Sequence, residues 1–371
     1  MQATSTTPGS AAKAPWRSHA APVAAAVAIL GLVVVLVTVG QHKLQQIGLG
    51  VGFDYLFATA GFSISQSVIP LLPGSTNLAA IGVGLANALV VALTAVVGST
   101  LLGLVAALAR LSSNPLAARI GRLYVNVVRN VPLIIFLVFL YRALLQLPPP
   151  RSAPATFGAI YFTNRGIVVP SLEFSTPWLF VGVLLAVAGL AAWHMKSRLW
   201  LVPILACSAV AVILGTAQYQ TPALAGFSIK GGFTFSNEFG ALAFGIAFYF
   251  GAEMGEVIRA AILSVPRPQS EAAAALGLRR GQAFRLVIAP QALRLAIPPT
   301  INVYVNIIKS TPLGVTVGYP EIMSVTYQIM QNTGRAIESV VTLAFVFMAI
   351  NAACSLLVNS LDRRRRYEAA T

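Results

Sequence analysis

SVPRPQSEAAAALGLRRGQAFRLVIAPQALRLAIPPTINVYVNIIKSTPLG, residues 264–314, lies between two long apolar runs and is itself polar, basic and mostly helix-forming. Ser270 is placed to cap a short Ala-rich helix opened by Glu271, an acid that suits the positive N-terminal end. Gly277 stops that helix as a left-handed C-cap. A second amphipathic turn, 282–288, ends before Pro290, and the chain re-enters an apolar segment at Ala296. A helix–turn–helix between two membrane spans is something a moving cytosolic partner can grip.

The spacing carries a resemblance. Glu271-Ala272-Ala273, three residues, Gly277, nine residues, Val287 and then Ala289-Pro290 resemble the EAA loop of bacterial ABC-importer permeases. The flanks, EVIRAAILSVP before and APQALRLAIPPTINVYVNIIKSTPLG after, look like polar amino-acid uptake permeases. The likeness spans roughly 81–147 and 239–361. Two departures leave the spacing intact: Pro268-Gln269 replaces the usual Gly-Gln, and Ala289 the usual Leu. The resemblance implies a type I ABC-importer fold, all-helical, with a five-helix core. It makes Glu271, Ala272, Ala273, Gly277 and Pro290 the contacts of an ATPase subunit. It also implies a second permease chain, homologous but different, two ATP-binding subunits and a periplasmic solute-binding protein. ATP and Mg would sit on the partner ATPase, leaving no cofactor on this chain.

Composition agrees with a membrane protein. The 371 residues are 57% hydrophobic and 9% charged, where soluble domains run near 25% charged. Cys207 and Cys354 sit inside apolar runs, and His19, His42 and His194 form no cluster, so no disulfide framework or metal spacing is present. No G-x-x-x-x-G-K occurs, which excludes a P-loop.

The pattern predicts about eight spans. Residues 1–20 form a cytosolic tail. Segment 21–80 holds an N-terminal span, 21–39, and an amphipathic periplasmic stretch with Phe53, Tyr55, Phe57 and Phe62. The first part of the core, 81–147, carries spans 81–108 and 131–147 around a basic loop, 110–129. An inserted segment, 148–238, opens on the external loop PPPRSAP and adds two shorter spans, 178–193 and 200–215. The second part of the core, 239–361, holds spans 239–263, 296–319 and 340–361, with the coupling loop at 264–295. Residues 362–371 are a basic cytosolic tail.

With the N-terminus inside, seventeen of the 25 Lys and Arg fall on inner segments and five on outer ones. That bias puts both termini and the 264–295 loop in the cytosol of a bacterial inner membrane. It also accounts for the net charge of +15 without nucleic acid. Anionic lipid headgroups suit the Arg363–Arg366 run.

Ionisable groups within spans are costly and call for a reason. Glu256 and Arg259, three apart, match a Glu-x-x-Arg pair usual in the family and read as a structural ion pair, with gating or docking as the alternative. Glu253 stands near mid-membrane where the family is aromatic or apolar. It either pairs structurally, with Lys309 as a candidate, or meets the ammonium of an amino-acid substrate. Lys309, Thr311 and Leu313 match the family's Lys-x-Thr-x-Leu pattern, and Pro312 breaks the helix there. Asn302, Asn306 and Lys309 recur as a polar stripe, either a pathway or a helix-packing seam. Arg142 either snorkels to headgroups or meets a substrate carboxylate at the outer mouth. A self-contained secondary transporter is the rival reading, but the sequence lacks the internal repeat it would need.

Overall fold

The computed structural model describes residues 52–174 and 217–368, with isolated positions in 28–40 and Ser208; side chains are described as far as residue 353. The expected span 21–39 and the two inserted spans lie essentially outside these residues. The chain divides into two units, Met1–Ala58 and Thr59–Thr371. The described part of the first includes a 3-10 turn, Asp54–Leu56.

The second unit is built on two long helices, the first and fourth, that run parallel, since Gly98 meets Ala247 and Gly103 meets Met254 farther along both. α1, Asn77–Leu111, is capped by Thr76, whose hydroxyl accepts from the Ala79 N–H. Its 35 residues rise about 50 Å, more than the ~30 Å of a hydrocarbon core. The chain returns through α2, Pro115–Asn130, and α3, Leu133–Leu145, which meet at 106° across Val131-Pro132. α4, Asn237–Leu263, packs on all three. Its Leu242, Ile246, Phe250 and Met254 form one core with Val91 and Ala95 of α1 and Leu137 of α3.

Small residues permit the close α1–α4 contact. A Cβ on Gly98 would stand 2.8 Å from the Ala247 Cβ, and one on Gly103 2.6 Å from the Met254 side chain. In lipid, where burying apolar surface gives no drive, such close packing holds helices together. The other face of α1 leaves Leu93, Val97, Leu101 and Val105 exposed.

The 110–129 stretch, expected as a basic loop, is largely the helix α2. Asn114 caps it by accepting from the Leu116 and Ala117 N–H groups, and Pro115 occupies its first turn. Ala118, Gly121, Val125 and Val128 are buried at helical spacing. The arginines between them hide that period from a reading by charge.

The coupling segment follows as α5, Arg267–Ala275, and α6, Arg280–Ala283. A π turn, Phe284–Ile288, runs directly into α7, Ala289–Ser310, and a 3-10 turn, Thr311–Thr316, ends it. α7 therefore starts seven residues earlier than expected. A helix the sequence reading missed, α8, Ile322–Thr333, precedes α9, Ala336–Glu368. It rests on α1 where a Cβ on Gly84 would meet the Ile322 Cα at 2.9 Å.

Four helical stretches among the described residues are long and apolar enough to cross a membrane, or five if α2 and α3 together form one bent span. They fall at the expected core spans 81–108, 239–263, 296–319 and 340–361, with 131–147 matched only if the bent pair counts as one span. The purely helical expectation needs correcting outside it. Segments 155–174 and 217–235 form eight short strands: β1, Ala155–Thr156; β2, Ile160–Thr163; β3, Gly166–Val169; β4, Ser171–Phe174; β5, Ala217–Gln220; β6, Ala223–Ala225; β7, Ser228–Lys230; and β8, Phe233–Phe235. One antiparallel sheet has the order β1-β2-β3-β8, while β4 pairs with β5 and β6 with β7. Pairing of Phe174 with Ala217 holds together the two ends of the undescribed 175–216 segment.

Candidate coupling loop and permeation face

The candidate coupling loop is a helical hairpin joining α4 to α7. Pro266, not Ser270, stands at the N-terminal boundary of α5; Ser270 lies inside the helix and donates to the Arg267 carbonyl. A helix opening one turn earlier removes any capping task for Ser270. Gly277 ends α5 with φ +77. The Leu278 N–H donates to the Ala273 carbonyl at 3.1 Å and the Gly277 N–H to that of Ala274 at 2.9 Å. This is the paired bonding of a Schellman turn, which a left-handed residue completes.

Ala273 is buried, whereas Glu271, Ala272 and Gly277 are exposed, and Leu276 beside them is 81% exposed. The Gln291 side chain donates to that of Gln269 at 3.3 Å, tying α5 to the first turn of α7. Pro290 begins α7 rather than ending the preceding turn. A proline lacks the N–H for residue 286 and crowds its carbonyl. The π turn relieves both: the Ala289 N–H reaches back to the Phe284 carbonyl, widening the coil just before the ring. The hairpin and α7 thus continue into one another.

Asn302, Asn306 and Lys309 are all exposed, one turn apart along α7. Val303 and Ile307, on the neighbouring face, pack into the core. Thr311 is buried, and its hydroxyl donates to the Ile308 carbonyl at 2.9 Å, within the turn rather than toward the stripe. Ser310 likewise bonds the Asn306 carbonyl. The helix gives way to 3-10 geometry at Pro312, where the proline removes an N–H.

Glu253 and Lys309 are not brought together. The Thr300 hydroxyl meets the Met254 sulfur at 3.7 Å, which sets the register of α7 against α4. Lys309 is nine residues beyond Thr300, about 13 Å farther along the helix. Counting α7 from Ala296 had hidden this offset. Glu253 instead lines a groove of about 450 Å³ with Arg129, Glu256, Leu295 and Pro299. Pro298 and Pro299 stand inside α7, so the carbonyls four residues earlier, at Arg294 and Leu295, lack helical donors.

Glu256 accepts from Arg259 of the same helix at 2.6 Å and also from Arg110 of α1. It therefore fastens two helices, not one. Arg110 and Arg129 were counted only as topogenic charges in the sequence; nothing in their spacing to Glu253 or Glu256, over a hundred residues away, signals the contact. Arg142 is exposed in the last turn of α3. The neighbouring Tyr141 hydroxyl donates to Glu238, which also accepts from Gln66.

At the α7–α8 junction, Glu321 caps α8 by accepting from the Met323 and Ser324 N–H groups at 2.9 and 2.8 Å. It is fully buried. Burial pushes its carboxyl up to about 7, against the lowering effect of those donors.

Residues 99–367 match the family described as "Binding-protein-dependent transport system inner membrane component", and the chain belongs to it. YhdX of Escherichia coli (strain K12) is 34% identical over 362 residues, which cover 92% of each chain. The general L-amino acid transport system permease protein AapQ of Rhizobium johnstonii is 33% identical, covering 83% of this chain and 82% of its own. A crystal structure of an amino acid ABC transporter with histidines has the same fold, with a TM-score of 0.51 and 21% identity over 77% of this chain and 94% of that one.

Proposed function

We propose that this chain is the transmembrane permease subunit of an ATP-driven amino-acid importer in a bacterial inner membrane, with both termini cytosolic. The hairpin 264–295 takes motion from an ATP-binding subunit, through Glu271, Ala272, Ala273 and Gly277, and Pro290 passes it into α7. The observation that supports this best is the form of the hairpin. A Schellman turn presents Glu271 and a bare Leu276 at its tip, and the hairpin runs without a break into α7. An exposed Leu at the tip of a polar hairpin suits a protein partner better than water.

The exposed stripe of Asn302, Asn306 and Lys309 suits a pathway shared with a second, homologous but different permease chain, since lipid would not solvate it. Glu253, with Arg129 across the groove, offers both charges that an amino acid needs, and Thr311 shapes the turn above. The Glu256 ion pairs hold the inner ends of α1 and α4. Two ATP-binding subunits carrying ATP and Mg, and a periplasmic solute-binding protein, complete the assembly. The chain itself performs no covalent chemistry.

Reconstitution in lipid vesicles tests this. Uptake of a labelled amino acid should require the ATP-binding subunits, MgATP and the solute-binding protein together. Uptake by the purified chain alone, driven by an ion gradient, would overturn it. A Val at 277 must adopt the left-handed region, at a cost of about 1–2 kcal/mol. Gly277→Val should stay in the membrane but lose uptake and recover less ATPase on co-purification; normal uptake would remove the coupling assignment.

A further inference from the structure

A slot opens where α4 begins, between two extended stretches of chain. One wall is β8, the terminal strand of its sheet. β3 pairs with one side of β8, and among the described residues no strand pairs with the other. The facing wall is residues 65–68 of a loop that precedes α1. The cavity between them is about 510 Å³. Its floor is a run of aromatic rings: Phe233 lies 4.8 Å from Phe235, Phe235 5.7 Å from Phe239, and Phe239 5.9 Å from Tyr319, centre to centre.

The slot is held open from both sides. The loop is closed at its base by the Thr59–Thr76 bridge and by the Ala60 N–H donating to the Ser75 carbonyl at 2.9 Å. Its middle is fixed by Asn87, a fully buried side chain of α1. The Asn87 amide donates to the Gln66 carbonyl at 2.9 Å and to the Pro320 carbonyl at 2.8 Å, and its oxygen accepts from the Val68 N–H at 3.0 Å. Gln66 in turn donates to Glu238. The loop is therefore not free to fold down and pair with β8 itself.

We propose that this slot receives an extended segment of the solute-binding protein, which pairs its backbone with the open edge of β8 and seats a neutral, apolar side chain on the aromatic floor. The inference rests on the permease reading above, which places the start of α4 on the outer side. The family's description, a binding-protein-dependent transport system, supplies the class of partner.

An unpaired strand edge is a template for another strand. The three residues of β8 span about 10 Å, room for three or four residues of a partner. No charged side chain lines the cavity, which argues against the zwitterionic substrate itself: both its charges would be left without partners. The serine and glutamine wall suits a peptide backbone better than an acyl chain. Cations stand at both ends of β8. Arg165 adjoins Gly166, whose neighbour is the Phe235 carbonyl, and Lys230 precedes Phe233 by three residues. The inserted segment should therefore be flanked by acids.

The test uses the whole complex in vesicles, with the binding protein that supports its uptake. Phe233 is replaced by a photo-cross-linking phenylalanine. Irradiation should join position 233 to the binding protein, identified by peptide mass, and the adduct should map to one extended acidic-flanked segment. An adduct with phospholipid only, or no adduct while uptake proceeds, would overturn the proposal. Failure of the unmodified complex to transport at all would instead strike the permease reading. Ser67→Trp, which fills the slot, should raise the binding-protein concentration for half-maximal uptake at least about tenfold, equivalent to 1.4 kcal/mol. An unchanged concentration dependence would count against the slot. If that variant fails to assemble, the cross-link decides.

Discussion

α4 and α7 are neighbours of similar apolar character that meet opposite environments. In its most apolar window α4 is 61% buried within the chain, whereas the stretch containing α7 is 17% buried. α4 carries Gly245, Gly251 and Gly255 against α3, α1 and α2, and leaves few side chains outside. α7 turns Asn302, Asn306 and Lys309 outward, with nothing among the described residues covering them. Among the described residues one helix is the centre of a folded unit, and the other lies at its surface. Burial thus separates a helix that builds the unit from the helix on which the proposed pathway is placed.

Substitutions sharpen that contrast, beginning with the interior. Gly103→Leu places a Cβ 2.6 Å from Met254 and 2.9 Å from the Gly255 nitrogen. Overpacking of this kind costs about 1–3 kcal/mol or more, so folded protein in detergent should fall steeply, as size-exclusion yield would show. Glu256→Gln should come next. It weakens the tie between α1 and α4 and leaves Arg110 and Arg259 without a carboxylate, lowering stability by about 2 kcal/mol. A melting temperature within a degree of the unmodified chain would break the assignment of Glu256 as a fastener.

On α7 the expected order of effects reverses. Lys309→Met removes an exposed charge, so stability should change by less than about 0.5 kcal/mol. Uptake should nonetheless fall, and the relative uptake of acidic, neutral and basic amino acids should shift. A stable protein with unaltered uptake and preference would make the stripe a packing seam.

Glu321 adds a test that depends on pH rather than on substitution alone. Its carboxyl is raised by burial to about 7 from a usual 4.5. The folded chain therefore keeps a proton that the unfolded chain releases above about pH 4.5. Stability is greatest below that pH and falls until pH passes about 7, by up to about 3 kcal/mol. Hydrogen exchange of the α8 amides should quicken between pH 5 and 8, and Glu321→Gln should flatten the response.

The core helices were legible because their signals are local. The EAA spacing, the glycine stop and the apolar runs each lie within one segment, and Gly277 adopts the left-handed turn expected of it. What the sequence hid depends on distant partners. In the strands of 155–174 and 217–235, β3 with β8 and β4 with β5 pair across more than forty intervening residues, while the local hairpins are built of strands only two to four residues long. α2 was obscured by its arginines, and the partners of Glu256 and Glu253 by separation along the chain. The supposed level match of Glu253 with Lys309 failed for a smaller reason. The start of a helix cannot be read from hydropathy when a π turn lets the coil pass through a proline.

That coil has a mechanical consequence. From Arg280 to Thr316 the backbone is one rod of uneven stiffness. Its compliant joints are the π turn, the Pro298-Pro299 step and the 3-10 turn at Pro312, because each interrupts the regular ladder of hydrogen bonds. Between the last two joints the segment bearing Asn302, Asn306 and Lys309 is stiff. A displacement at the tip of the hairpin would arrive there as a swing of that whole segment about its two ends, not as a bend spread along it. The polar stripe would then tilt as a single blade, and its angle would be set by how far the first joint yields.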